Sequence, residues 1–362
     1  MQAAPQPQNL KPLTALRFFA AMWVVSYDFW PSLGAPTPRV VAKGYLGVEL
    51  FFVLSGFILS HVYLQSFGER RFGYVKFLWA RLARIYPLHL ATLIGIGALA
   101  VGAAVIGADA GSKVLVWSSL PAQLTLTQAW GLGLGGGWNH PSWSISAEWF
   151  AYLAFPLFAW TAWRLKGRPM LGLGLALAFV CAMELGFERW AGFPLTEATI
   201  AWGALRIVPC FALGCATYLV WRARPLSSAP VALAVCAAAV LAIVAAAEAG
   251  WPDWIAIDLF AALIFGLASL PVSGSRALSW GVWVYLGEVS FAIYMVCIPW
   301  KLAFENLAAR AFALGDGPLP LGLWLADALG VIPAAMVLHH LIERPAREAM
   351  RRRGPLFLGG GR

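Results

Sequence analysis

Ten apolar runs, each about as long as a bilayer is thick, leave this chain one solvent to fold in. A helix of about 20 predominantly apolar residues crosses the hydrocarbon core. The runs fall at 13–30, 45–65, 85–107, 142–163, 170–190, 200–221, 228–250, 254–272, 281–303 and 320–342. They predict an all-α polytopic membrane protein with about ten transmembrane helices. Only 12% of the 362 residues are charged and 60% are hydrophobic, whereas a soluble domain carries about 25% charged residues.

One further stretch, 114–134, is long enough to span, but counting it would reverse the sides of everything after it. It is read as a re-entrant or interfacial segment, because irregular backbone is tolerated in a membrane where protein buries it. The reading is then a single integral-membrane domain over 1–362, with spans within roughly 13–348 and a basic cytoplasmic tail at 349–362. Met1 to Asn9 is polar and Pro-rich, without the cleavage pattern of a signal peptide. The net charge of +9 needs no nucleic acid to explain it. With both termini cytoplasmic, 19 of the 26 Lys and Arg residues fall on the cytoplasmic side, which is the bias expected of a membrane protein. The same basic residues imply contact with membrane lipids. The five cysteines all sit in apolar runs, with neither metal-ligand spacing nor a disulfide framework.

Charges inside apolar runs are costly, about 2.5–3.5 kcal/mol each at mid-bilayer, so they usually face a cavity and a partner. The first run, "ALRFFAAMWVVSYDFW", carries Arg17 near its start and Asp28 near its end. Eleven residues at 100° each return to within about 20° of the same face, about 16.5 Å further along the axis. The two cannot touch, but they could hold two ends of one elongated ligand. Glu49 lies near the outer end of the second run, at the expected depth of Asp28. "RRFGYVKFLWARLAR" holds the densest internal basic cluster, in which Arg81 and Arg84 share a helix face. That cluster suits either a topology signal or a phosphate, which the planar guanidinium binds through two oxygens at once. "PSWSISAEWF" sets Trp143, Ser144 and Glu148 where polar and aromatic groups suit a hydroxyl-bearing ligand. "ALRIVPC" places Arg206 just before a helix-loosening proline, and "HHLIERPARE" brings Glu343 out at the last span's end.

Taken together, "LTALRFFAAMWVVSYDFW", "GYLGVELFFVLSGFILS", "FLWARLARIYPLH", "PSWSISAEWFAYLAFP", "ALRIVPCFALG", "LGEVSFAIYMV" and "HHLIERPARE" resemble the membrane-bound acyltransferase family 3. These are bacterial proteins that O-acylate surface and exported glycans and some small molecules. The stretches run in the family's order over nearly the whole chain, and this chain looks most like the short, single-domain exopolysaccharide acetyltransferases. The resemblance implies ten spans in the bacterial inner membrane, acetyl-CoA as co-substrate with no metal, and a polysaccharide or lipid-linked oligosaccharide acceptor. It implies CoA-binding roles for Arg17, Arg81 and Arg84 and catalytic roles for Asp28, Glu148 and Arg206. Glu49, Trp143, Ser144, Tyr294 and Glu343 are expected to bind the acceptor or support the site.

Two positions depart from the family pattern. The first-span signature is Arg, ten residues, then His, and here the His position is Asp28. The ninth-span motif ends in Cys297 rather than His. The first departure implies impaired activity in this form. Asp28 could serve as the base itself, the position could have been altered to trap substrate, or the chain could be naturally inactive; the intact remaining motifs favour the second. Rival classes are a carrier or flippase for a lipid-linked sugar, and a non-catalytic scaffold of a polysaccharide export complex. Acyl-CoA binding separates the enzyme from both.

Overall fold

A computed structural model describes residues 10–105, 114–132, 136–271, 275, 278–315 and 317–358. Parts of four expected features lie outside the described residues: the ends of the 85–107 and 254–272 runs, the end of 114–134 and the last four tail positions. The described residues are helical, with no strand among them.

The helices follow in order: α1 (Lys11–Phe29), α2 (Arg39–Ala42), α3 (Gly47–Gly68), α4 (Tyr74–Val105), α5 (Leu120–Thr125), α6 (Ser142–Leu153), α7 (Phe155–Leu165), α8 (Pro169–Ala191), α9 (Gly203–Ala223), α10 (Ala229–Ala249), α11 (Asp253–Ser269), α12 (Gly281–Ala311), α13 (Leu321–Leu338) and α14 (Arg344–Leu358). Proline opens α1, α5, α7, α8 and α10, where its missing N–H has no intrahelical partner to lose. Seven helices are long and apolar enough to cross a membrane: α3, α4, α8, α9, α10, α12, and α13 with its continuation. α1 carries Lys11, Arg17 and Asp28 in 19 residues, and α11 has 17 residues. The 142–163 run breaks into α6 and α7 at Ala154, because Pro156 in the first turn of α7 starts a new helix more readily than it continues an old one.

Two expected boundaries move. α4 begins at Tyr74, eleven residues before the expected start of its span, and runs through Pro87. Arg81 and Arg84 therefore share a helix, as their spacing suggests, and it is α4 itself, where they are flanked by buried Phe77, Ile85 and Leu88. At the far end, α13 passes through a π turn at His339–Glu343 into α14, so much of the basic tail is helical. The 114–134 segment forms a 3₁₀ turn at Trp117–Ser119 and then α5, whose six residues reach about 9 Å. His89 Nε2 lies 2.8 Å from the Gln123 carbonyl, and Ser146 Oγ donates to the Leu126 carbonyl at 2.8 Å. The segment is thus tied across α4 and α6.

α3 and α9 pack as the centre, and α1 pairs with α12 beside them. The outer faces of α8, α10 and α13 expose Leu171, Leu175, Leu241, Leu329 and Val337, which suits helices bathed in lipid. The central pair is in backbone contact. A Cβ on Gly214 would lie 1.9 Å from the Val53 carbonyl oxygen, and one on Gly56 would lie 2.1 Å from that of Phe211. Small residues allow this approach between membrane helices. Gly214→Val is expected to cost about 1–3 kcal/mol, the usual scale of overpacking, and to lower the melting temperature in detergent. An unchanged melting temperature would show that the helices part freely here.

Candidate active site

Three cavities follow the length of α1. Near its start lies a vestibule of about 510 Å³, bordered by Thr14, Arg17, Arg84, His340, Arg344 and Arg347. A cleft of about 180 Å³ shares Thr14, Arg17 and Arg84 with the vestibule and adds Arg81, Ser55 and Glu148. At the other end of α1 lies a distal chamber of about 470 Å³, lined by Tyr27, Asp28, His140, Trp143, Arg206 and Tyr294 among others. The cleft and the chamber share no lining residue. Between them stand Phe51, on the cleft side, and Tyr294, on the chamber side, with ring centroids 6.4 Å apart.

The proximal end is strongly cationic, yet most of its cations are committed. Arg84 is paired with Glu343, whose side chain is fully buried. Arg347 Nη1 lies 3.7 Å from the same carboxylate and His339 Nδ1 lies 2.8 Å from it. The π turn makes this convergence possible by widening the helix by one residue where His339 and Glu343 face α4; such bulges often mark functional sites. Arg81 lies over the Tyr63 ring, 5.7 Å from its centroid. Arg17 differs: among the described residues its guanidinium makes no hydrogen bond or ion pair, and it borders both cleft and vestibule. The carboxylates whose charge reaches it, Glu148 and Glu343, are both held by other side chains. Glu148 accepts from Ser55 Oγ at 2.8 Å and from Tyr152 OH at 3.1 Å, so its acceptor capacity is largely used within the protein.

In the distal chamber, Arg206 is held from three sides. It pairs with Glu49, donates to the Ala198 carbonyl at 3.0 Å and lies 4.6 Å from the centre of the Trp143 ring. Tyr294 OH donates to the Pro141 carbonyl at 3.0 Å. Lys301 Nζ donates to the backbone carbonyl of Asp28 at 2.5 Å, leaving the carboxyl facing the chamber.

The structure thus brings Asp28, Trp143, Arg206 and Tyr294 together. It separates them from Glu148, which joins Arg17, Arg81 and Arg84 at the other cavity. Ser144 is buried and turned onto the Pro141 carbonyl, outside the chamber lining. Glu49 lines none of these three cavities and instead fixes Arg206, while Glu343 belongs with the proximal cations. Sequence reasoning missed Tyr27, Tyr45, Glu197 and His140 in the chamber wall. Only the polar "NHPSW" entry to α6 carried a signal for any of them.

These features define a multi-pass membrane protein with a cationic cavity and a polar, aromatic cavity set along one helix. The family model described as an acyltransferase domain matches residues 11–340. The chain belongs to that family, acyltransferase family 3. It is similar to acyltransferase MdmB of Streptomyces mycarofaciens, at 31% identity over 97% of this chain and 95% of that one. It is also similar to exopolysaccharide production protein ExoZ of Rhizobium meliloti (strain 1021), at 29% identity over 88% and 94%. Protein 2 in the picA locus of Rhizobium radiobacter matches 24% of the chain at 38% identity. No solved structure matches.

Proposed function

We propose that this acyltransferase moves an acetyl group from cytoplasmic acetyl-CoA to a hydroxyl of a glycan, such as a lipid-linked repeat unit of an exopolysaccharide, at the bacterial inner membrane. Arg17, which borders both vestibule and cleft and makes no hydrogen bond or ion pair among the described residues, carries the donor half of this reading. The phosphates of CoA would meet Arg17, Arg84, Arg344 and Arg347, and the pantetheine arm would lie along α1 with the thioester reaching the distal chamber. The polar and aromatic lining there supports a sugar-like acceptor, in keeping with the name of the exopolysaccharide production relative. Arg206 would steady the charge that develops on the acyl oxygen. Asp28 would border the reacting groups, but a carboxylate is a weaker general base than the imidazole of the family signature. Turnover that relied on it alone would be slow.

Ten spans are proposed, with α1, the α6–α7 pair and α11 added to the seven. Both termini would then be cytoplasmic and 114–134 would be re-entrant. Cysteines replacing Pro36 and Phe312 should react with an impermeant thiol reagent in intact cells, and one replacing Arg168 should not; labelling at 168 would sink the topology. The function itself is tested by acetyl-CoA binding to the purified protein and by a loss of base-labile acetate from cell-surface glycan on deletion. A carrier or scaffold would bind no acetyl-CoA, and its deletion would leave the mass of each glycan unit unchanged.

A further inference from the structure

His140 stands in the turn that enters α6, and both of its neighbours are tied to α12. Asn139 Nδ2 donates to the Met295 carbonyl at 2.9 Å, and the Pro141 carbonyl accepts from Tyr294 OH at 3.0 Å. Asn139 and Tyr294 are buried. This loop is therefore fixed in place. Among the described residues, the His140 ring makes no hydrogen bond, ion pair or ring contact, yet it lines the distal chamber with Asp28. The ring itself is exposed, so what the pinned backbone fixes is the place of an uncommitted imidazole on the wall of the chamber. Desolvation by the chamber wall lowers its pKa below the usual histidine value, which favours the neutral ring with its lone pair free. The other titratable groups in the chamber are Tyr27 and Asp28 of α1, Tyr45, Glu197, Arg206 of α9 and Tyr294 of α12.

The geometry points to His140 as the proton acceptor of the transfer step, an imidazole supplied by the 139–141 turn where the first span offers a carboxylate. This rests on the acyl-transfer reading above. The acceptor hydroxyl would give its proton to the free ring nitrogen of His140 as its oxygen bonds to the thioester carbonyl carbon. Collapse of the tetrahedral intermediate breaks the C–S bond, and the leaving thiolate takes the proton back from the imidazolium. The products are the acetyl ester and CoA thiol, with the histidine restored. Asp28, in the same chamber, would favour the imidazolium by its charge, so the two groups divide between them what one histidine would do.

The test uses full-length protein. Base-labile acetate on cell-surface glycan is measured in a deletion strain carrying each variant, and acetyl-CoA binding is measured on each purified protein. Positioned general-base catalysis contributes typically 10²–10⁴-fold. His140→Gln, with His140→Asn as a second variant, should therefore cut acetylation about 100-fold or more. Acetyl-CoA affinity and elution on gel filtration should not change. Adding Asp28→His to His140→Gln should restore acetylation, which a merely structural role for His140 would not allow. If His140→Gln acetylates as well as the unaltered chain, the inference fails and the acyl-transfer reading stands. If the unaltered chain binds acetyl-CoA without acetylating, the inference also fails and only the donor half of that reading survives. If it neither binds nor acetylates, both fall.

Discussion

Glu49→Ala is expected to cost the fold about 3–5 kcal/mol, the scale for removing one partner of a buried ion pair. The side chains of Glu49 and Arg206 are 0% and 2% exposed, so solvent replaces the lost carboxylate poorly. Arg206 would keep the Ala198 carbonyl and the face of Trp143, which are too little for a full charge in a membrane interior. The protein should melt well below the unaltered chain in detergent. Glu49→Leu combined with Arg206→Met should recover most of that loss, since apolar replacement of both partners is often neutral or stabilising. The double variant should still fail in acetyl transfer, because the chamber has lost its cation. A Glu49→Ala protein that melts like the unaltered chain would mean that the pair does not hold α3 to α9.

Arg17→Ala is expected to have the largest effect on the donor. A hydrogen bond to a charged group is worth about 1.5–3 kcal/mol, so acetyl-CoA affinity should fall about 10- to 100-fold, with little change in melting. Arg17→Lys should recover part of it, since an ammonium supplies the charge without the two-pronged geometry. Arg84→Ala should behave differently. A purely CoA-binding role for Arg84 would let the substitution weaken the donor and spare the fold. The structure commits Arg84 to a fully buried Glu343, so removing it strands a carboxylate beside His339 and should lower stability as well. Unaltered acetyl-CoA affinity in Arg17→Ala would remove the argument for a nucleotide in the vestibule.

The apolar runs were legible because a membrane demands long, unbroken hydrophobicity, and the observed helices fall where the runs are. Their ends were not. The basic turns before Pro87 look like a cytoplasmic connection, since charge and proline both discourage an apolar reading, yet they are the first turns of α4. The site was legible where one helix carries two charges in phase, as Arg17 and Asp28 do. It was illegible where the chemistry depends on pairing between distant helices. Glu49 and Arg206 are 157 positions apart, and no local pattern says that they neutralise each other. Glu148 looked like an acceptor ligand because its neighbours are polar and aromatic. Its side chain instead turns to Ser55 and Tyr152 on the cleft side, a direction that residue type does not reveal. His140 was passed over because a single histidine in a loop has no period to betray it.

Because α1 is one uninterrupted helix from Lys11 to Phe29, the stretch between Arg17 and Asp28 keeps time as well as distance. Inserting one residue there would swing Asp28 by about 100°, out of the chamber and into a neighbouring helix or lipid, whatever residue was added. Inserting seven would return it to within about 20° of its direction but carry it about 10.5 Å further along the axis. The length of this segment is therefore constrained independently of the packing of its side chains. Lineages descended from this chain should record that constraint as substitutions without gaps between positions 17 and 28.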